Sequence, residues 1–136
     1  MSGPVKLSEM VSIALHGMVF LTAVEARERI SIKDIAQATG ASEAHLSKTM
    51  QRLVKAGLVT SLRGPKGGFV LAREPGEISL LEIYEAIEGP LNENACAVEA
   101  CNFKECIFDD LLYKLNLKFK EFLQDKTLKD YQDYLK

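Results

Sequence analysis

The sequence predicts a mainly α-helical fold carrying one small β-hairpin, and three observations support this. Apolar residues recur at helical spacing in several separate stretches. Hydroxyl-bearing caps and glycines mark where those stretches start and stop. A Gly/Pro-rich turn divides two short β-prone runs near the middle of the chain.

Residues 7 to about 26 carry Met10, Ile13, Ala14, Leu21 and Val24, with Leu15, Met18 and Phe20 widening the stripe. That pattern predicts one long, largely buried helix, in which Gly17 marks a close helix contact. Ser31-Ile32-Lys33-Asp34 places a capping hydroxyl ahead of a carboxylate, so a second helix starts at Ser31 and stops at Gly40. A third starts at Ser42, carries Leu46, Met50, Leu53 and Val54, and ends at Gly57. Two short helices with a glycine at the break are a helix-turn-helix signal. Residues 58–63 and 69–71 flank Gly64-Pro65-Lys66-Gly67-Gly68 and read as a hairpin with a basic tip. Helix, turn, helix and hairpin in that order make a winged helix.

Ser79-Leu80-Leu81-Glu82 is a full capping box, and Leu80, Ile83 and Ile87 continue one face until Gly89-Pro90. Residues 91–106 show no period and contain every cysteine. A last long helix is expected over residues 107–124, where Phe108, Leu111, Leu115, Phe119 and Phe122 form a seam. Paired with its own copy, that seam makes a homodimer. Residues 127–135 read as a short polar tail helix. The chain thus divides into a winged helix-turn-helix (1–90), a cysteine-bearing loop (91–106), and a dimerisation helix with its tail (107–136).

The 136 residues are 47% apolar and 26% charged, which excludes a disordered chain. Three cysteines are too few and too odd in number for a disulfide scaffold. No apolar run is long enough to span a bilayer, so a cytoplasmic protein without a membrane partner is expected. The net charge of −2 hides an asymmetry. Residues 1–73 hold ten Lys/Arg against five Asp/Glu, and residues 74–136 hold seven against fourteen. A half of net +5 that can meet phosphate is joined to a thiol-bearing half of net −7.

In a helix-turn-helix the second helix enters the major groove with its N-terminal residues at base edges. Here it offers Ser42, Glu43, His45, Ser47, Lys48, Gln51 and Arg52, with Arg63 and Lys66 on the wing. The hydroxyls and the imidazole suit base edges, and the cations suit bases or phosphates. Double-stranded DNA with a palindromic operator, read by a two-fold dimer, is the expected partner.

Cys96, Cys101 and Cys106 fall within eleven residues. Five-residue steps on a helix would spread the thiols around its axis, so they can converge only from a loop. Three thiolates then suit an iron–sulfur cluster needing one more ligand, or zinc with a fourth. His16, Asp109, Ser12, Glu99 and Glu105 are the candidates for that place. A bare thiol switch and inert loop cysteines are the other readings. An enzyme is not expected: the chain has no C-x-x-C, no general base beside a cysteine and no cofactor loop.

The run Arg63-Gly64-Pro65-Lys66-Gly67-Gly68-Phe69-Val70-Leu71-Ala72-Arg73 resembles the wing of the Rrf2 family of bacterial regulators, the IscR/NsrR/CymR-like proteins. Residues 46–59, Ile78-Ser79-Leu80-Leu81-Glu82 and Glu88-Gly89-Pro90 carry the same resemblance, which extends to about residue 125. It implies a homodimeric winged-helix regulator in which Ser42, Glu43, Ser47 and Lys48 meet bases. In cluster-binding members, three loop cysteines hold a 2Fe-2S or 4Fe-4S cluster, and Cys96, Cys101 and Cys106 occupy that loop. Their spacing is tighter than in IscR-like members. Asp109 stands where those members have a ligating His, and Ser12 where NsrR-like members have an acid. His16 matches the ligand of a two-iron member. The function implied is transcription regulation responsive to redox state, nitric oxide or cluster supply. The alternative is a metal-independent regulator answering a metabolite, a partner protein or a thiol/disulfide change, with no small-molecule substrate in either case.

Overall fold

A computed structural model describes residues 7–23, 29–64, 67–94, 96, 98 and 100–134. Helix α1 (Glu9–Thr22) opens at Ser8, whose hydroxyl oxygen accepts from the Val11 amide at 3.2 Å. It is the central element: Val11, Ile13, Ala14, Met18 and Leu21 are buried, and it packs on every other helix of the head. The helix stops at Thr22, short of the expected end, and the remaining expected residues 24–26 lie outside the described residues. A Cβ on Gly17 would meet Ile35 Cγ2 at 3.5 Å, an ordinary contact, so packing against α2 is close but does not demand glycine.

Helix α2 (Ile32–Thr39) has the expected reciprocal box between Ser31 and Asp34. Gly40 ends it with φ +74, a conformation that costs an L side chain and leaves glycine free. Helix α3 (Glu43–Lys55) starts at Ser42, whose side chain accepts from the His45 amide at 3.2 Å. Its buried face is Leu46, Thr49, Met50 and Leu53, the helical repeat that seats it against α1 and α2.

Strands β1 (Val59–Leu62) and β2 (Gly68–Leu71) pair antiparallel, Val59 opposite Leu71 and Leu62 opposite Gly68. The outer edge of β2 is held by a bridge not expected from the sequence. Ile30 and Phe69 exchange backbone hydrogen bonds at 3.2 and 2.9 Å, tying β2 to the segment before α2. A Cβ on Gly68 would lie 2.8 Å from the Ile30 carbonyl oxygen, so this close approach requires glycine.

A 3₁₀ turn (Pro75–Glu77) leads to α4 (Leu80–Glu88), opened by the Ser79–Glu82 box. The last long helix, α5 (Leu111–Asp125), starts later than expected. Residues 107–110 form turns instead, because Asp109 adopts φ +53 and its amide donates back to the Cys106 carbonyl at 3.1 Å. Phe108 is therefore off the helix.

The expected seam also splits in two. Phe119 turns inward, with its ring 5.6 Å from Tyr84 of α4 in an edge-to-face contact, and Leu123 is buried below it. Leu111, Leu115 and Phe122 remain 51%, 42% and 52% exposed, an apolar stripe half open among the described residues, with Lys126 Nζ 5.9 Å from the Phe122 ring centroid.

The tail is not a polar helix. It is a 3₁₀ turn (Leu128–Tyr131) whose Leu128 is fully buried in the main core. The Leu128 amide donates to the Ile78 carbonyl at 3.0 Å, and the Leu80 amide donates to the Lys126 carbonyl at 2.9 Å. Residue 135, the expected tail end, lies outside the described residues. No described helix is long and apolar enough to cross a membrane.

Candidate nucleic-acid interface and thiol loop

The buried stripe of α3 dictates its free face. With Leu46, Thr49, Met50 and Leu53 inward, Lys48, Gln51 and Lys55 fall on the opposite side and are exposed. Ser42, Glu43 and His45 are exposed at the helix start, and Ser47 is half-buried beside them. The Ser42 oxygen is engaged as the cap, which leaves its proton free to donate. His45 Nδ1 lies 3.7 Å from Glu9 on α1, a loose contact between two exposed side chains.

Arg63 is exposed at the root of the wing turn, which closes through the Gly67 amide onto the Gly64 carbonyl at 2.9 Å. Lys66 lies outside the described residues. Where the hairpin leaves for α4, Arg73 bonds Glu82 at 2.9 Å, so the acid of the α4 capping box also fixes the wing's return strand. Arg52 stands apart from its neighbours. It sits at the edge of the free face, and its Nη1 donates to the Ile87 carbonyl at 2.8 Å.

The thiol loop joins α4 to α5. Its beginning is tightly held: the Leu91 amide donates to Glu85 at 2.8 Å, and Asn116 Nδ2 donates to the Glu93 carbonyl at 3.2 Å. Lys120 Nζ lies 3.4 Å from the Glu93 carboxylate. Glu93's own backbone amide, and then Lys120, hold that carboxyl below its ordinary range. Burial, followed by repulsion from Glu88 and Glu85, raises the Tyr84 phenol alongside. A surface cavity of about 470 Å³ lies between α4, α5 and this loop start, with Cys96 at its edge.

Cys96, Cys101 and Cys106 are all free and exposed. The expected convergence of the three thiols is not present: no described group of three or more His, Cys, Asp or Glu side chains is placed to hold a metal. The physical reason is local. After the turn at Asn92 and Asn94, the described residues between 96 and 106 belong to no helix or strand that would fix one thiol against another.

The donor chemistry nevertheless suits a thiophilic metal, because three accessible sulfurs lie on a segment whose described residues are tied into no helix or strand. His16 is exposed on α1, and its Nδ1 lies 2.7 Å from the Ser12 carbonyl. A carbonyl only accepts, so Nδ1 donates this bond and Nε2 is the nitrogen left for a metal. His16 and Cys96 line separate cavities in the chain. Asp109 is exposed in the turn ahead of α5, Glu105 is exposed in the loop, and Glu99 lies outside the described residues.

Comparison with known proteins places this geometry. The model of the Rrf2 family, described as an iron-dependent transcriptional regulator, matches residues 7–133. The HTH-type transcriptional regulator NsrR of Geobacillus kaustophilus is 38% identical over 104 residues, covering 75% of this chain and 68% of that protein. CymR of Bacillus subtilis is 33% identical over 129 residues, covering 95% of this chain and 91% of that protein. Among solved structures, CymR of B. subtilis, described as the global cysteine regulator, superposes with a TM-score of 0.80 at 33% identity. That match covers 96% of this chain and 98% of the other. T. potens IscR superposes with a TM-score of 0.78 at 28% identity over 98% of this chain and 90% of its own. These relatives are transcription regulators rather than enzymes, and both solved structures share the helical architecture with its hairpin wing. The chain belongs to the Rrf2 family and is a DNA-binding transcription regulator.

Proposed function

We propose that this regulator acts in the cytoplasm as a homodimer on a palindromic operator, and that its 91–106 loop senses redox state, nitric oxide or iron–sulfur supply. The observation that carries this reading is the loop itself. All three thiols of the chain sit there, accessible and free, between the helix next to the DNA-reading head and the helix bearing the half-open apolar stripe. Cys96, Cys101 and Cys106 would hold a 2Fe-2S or 4Fe-4S cluster, with His16 as the fourth ligand supplied across the dimer. A bound cluster supplies an electron-accepting, ligand-sensitive centre. The chain's own part is to order the loop around it and to bias the position of the recognition helices. Ser42, Glu43, His45, Ser47, Lys48 and Gln51 read the major groove, and Arg63 and Lys66 meet backbone or minor groove.

Anaerobically purified protein should show thiolate-to-iron charge-transfer absorption that disappears in Cys101→Ala. Protein that stays colourless and iron-free after anaerobic reconstitution would refute the cluster. A second reading is favoured by the superposition on the global cysteine regulator CymR. In that reading the loop works without a metal, or the signal enters elsewhere. Full DNA affinity in a Cys96→Ser/Cys101→Ser/Cys106→Ser variant, unmoved by oxidant, would select signal entry elsewhere.

A further inference from the structure

We infer that Arg52 is a positioning residue that links the recognition helix to the root of the thiol loop, and that it is not a phosphate ligand. The inference rests on the sensing role proposed above for the loop. Ile87 is the next-to-last residue of α4, so its carbonyl lies in the last turn, where carbonyls have no partner inside the helix. The Arg52 guanidinium supplies that partner at 2.8 Å and brings a cation to the negative end of the α4 dipole. The same last turn is fastened on its other side. Glu88 accepts from the Ser8 hydroxyl at the start of α1, and Glu85 accepts from the Leu91 amide at 2.8 Å, the first step of the loop after Gly89-Pro90. Two residues further, Glu93 is gripped by Asn116 and Lys120 of α5.

These contacts, joined by the backbone from residue 91 to 93 and from 85 to 87, lead from α5 through the loop root and the last turn of α4 to Arg52 on α3. Lys48 and Gln51 lie on the exposed face of α3 with no place on this path. A guanidinium is planar and pre-organised, so it transmits orientation better than the flexible ammonium of lysine. When the loop root moves, the last turn of α4 moves with it, and the recognition helix is re-aimed through Arg52.

The test uses the fact that every thiol in the chain lies in the loop, so N-ethylmaleimide modifies the loop alone. Affinity for a duplex bearing the operator, or for plain duplex DNA if that is all the protein binds, is measured against salt, with and without alkylation. Wild-type affinity should change by about fivefold or more on alkylation, the lower edge of ordinary allosteric coupling. In Arg52→Gln the salt slope should match wild type while the alkylation response falls to within about twofold of none. Glu85→Ala, which cuts the same path at the loop root, should do the same. Lys48→Gln should lower the slope by about 0.9 for each phosphate the lysine neutralises and keep the response.

A slope reduction in Arg52→Gln equal to that of Lys48→Gln would overturn the inference. An undiminished response in both Arg52→Gln and Glu85→Ala would also overturn it while leaving the sensing reading intact. A wild type indifferent to alkylation would remove the sensing reading and the coupling together.

Discussion

Leu128→Ala is the sharpest test of how the segment after α5 is joined to the main core. Leu128 is fully buried among Ile78, Leu80 and the α1 side chains of the main core. Trimming it to alanine removes roughly 2.4 kcal/mol of transfer free energy at about 0.8 kcal/mol per methylene. The residual cavity brings the cost to about 3–4 kcal/mol, because the backbone at residues 126 and 128 is pinned to residues 80 and 78 and resists collapse inward. With an unfolding entropy of about 2.1 cal/mol/K per residue, the 136-residue chain should lose about 10 °C in Tm for a 3 kcal/mol penalty. Thermal and urea unfolding followed by circular dichroism reads this, at fixed protein concentration because the proposed dimer would add to apparent stability. Lys129→Ala, at the exposed neighbouring position, should stay within about 0.5 kcal/mol of wild type. A Leu128→Ala penalty below about 1 kcal/mol would refute the placement of the tail in the core.

Other perturbations have equally definite expectations. Gly68→Ala forces a Cβ against the Ile30 carbonyl oxygen at 2.8 Å, so it should cost about 1–3 kcal/mol and weaken DNA binding by displacing the wing; unchanged stability would contradict the bridge. Leu111→Ser/Leu115→Ser should shift the protein toward monomer in sedimentation while the monomer stays folded, since both side chains are about half exposed; an unchanged dimer would place the interface elsewhere. Glu93 should titrate below the ordinary carboxylate range by carboxyl NMR, owing first to its own backbone amide and then to Lys120. Its folded pKa is depressed, so its hold on the loop root is present above the unfolded value and is lost as pH falls through the folded one. Lys120→Met should move the midpoint part of the way back, and a midpoint at or above the ordinary value in wild type would contradict the contact.

The elements governed by neighbours in sequence were the readable ones. Ser31, Ser42 and Ser79 cap helices because a hydroxyl a few residues from an amide is a local fact, and Gly40 and Gly89 stop them for equally local reasons. The polar face of α3 followed from the spacing of its buried residues. What escaped the sequence was non-local. The Ile30–Phe69 and Ser79–Thr127 bridges join residues far apart in the chain, which no periodicity records. Phe119 continues the spacing of an exposed seam, yet it turns inward because Tyr84 of α4 is there to receive it. The start of α5 was missed because Asp109 takes a left-handed conformation that is usually left to glycine. At the site, the grouping of the cysteines along the chain was evident from their spacing, whereas the attachment of Arg52 to α4 depends on a carbonyl and has no sequence signal.

The burial of Leu128 also bears on synthesis. The core that supports the recognition helix includes a residue that follows α5 in sequence, so a chain made only as far as α4 still lacks part of that core. Nascent chains still in translation, and fragments cut before residue 128, lack the piece that seals the first helices. A chain that stops short of residue 128 should therefore bind duplex DNA more weakly than one that includes it.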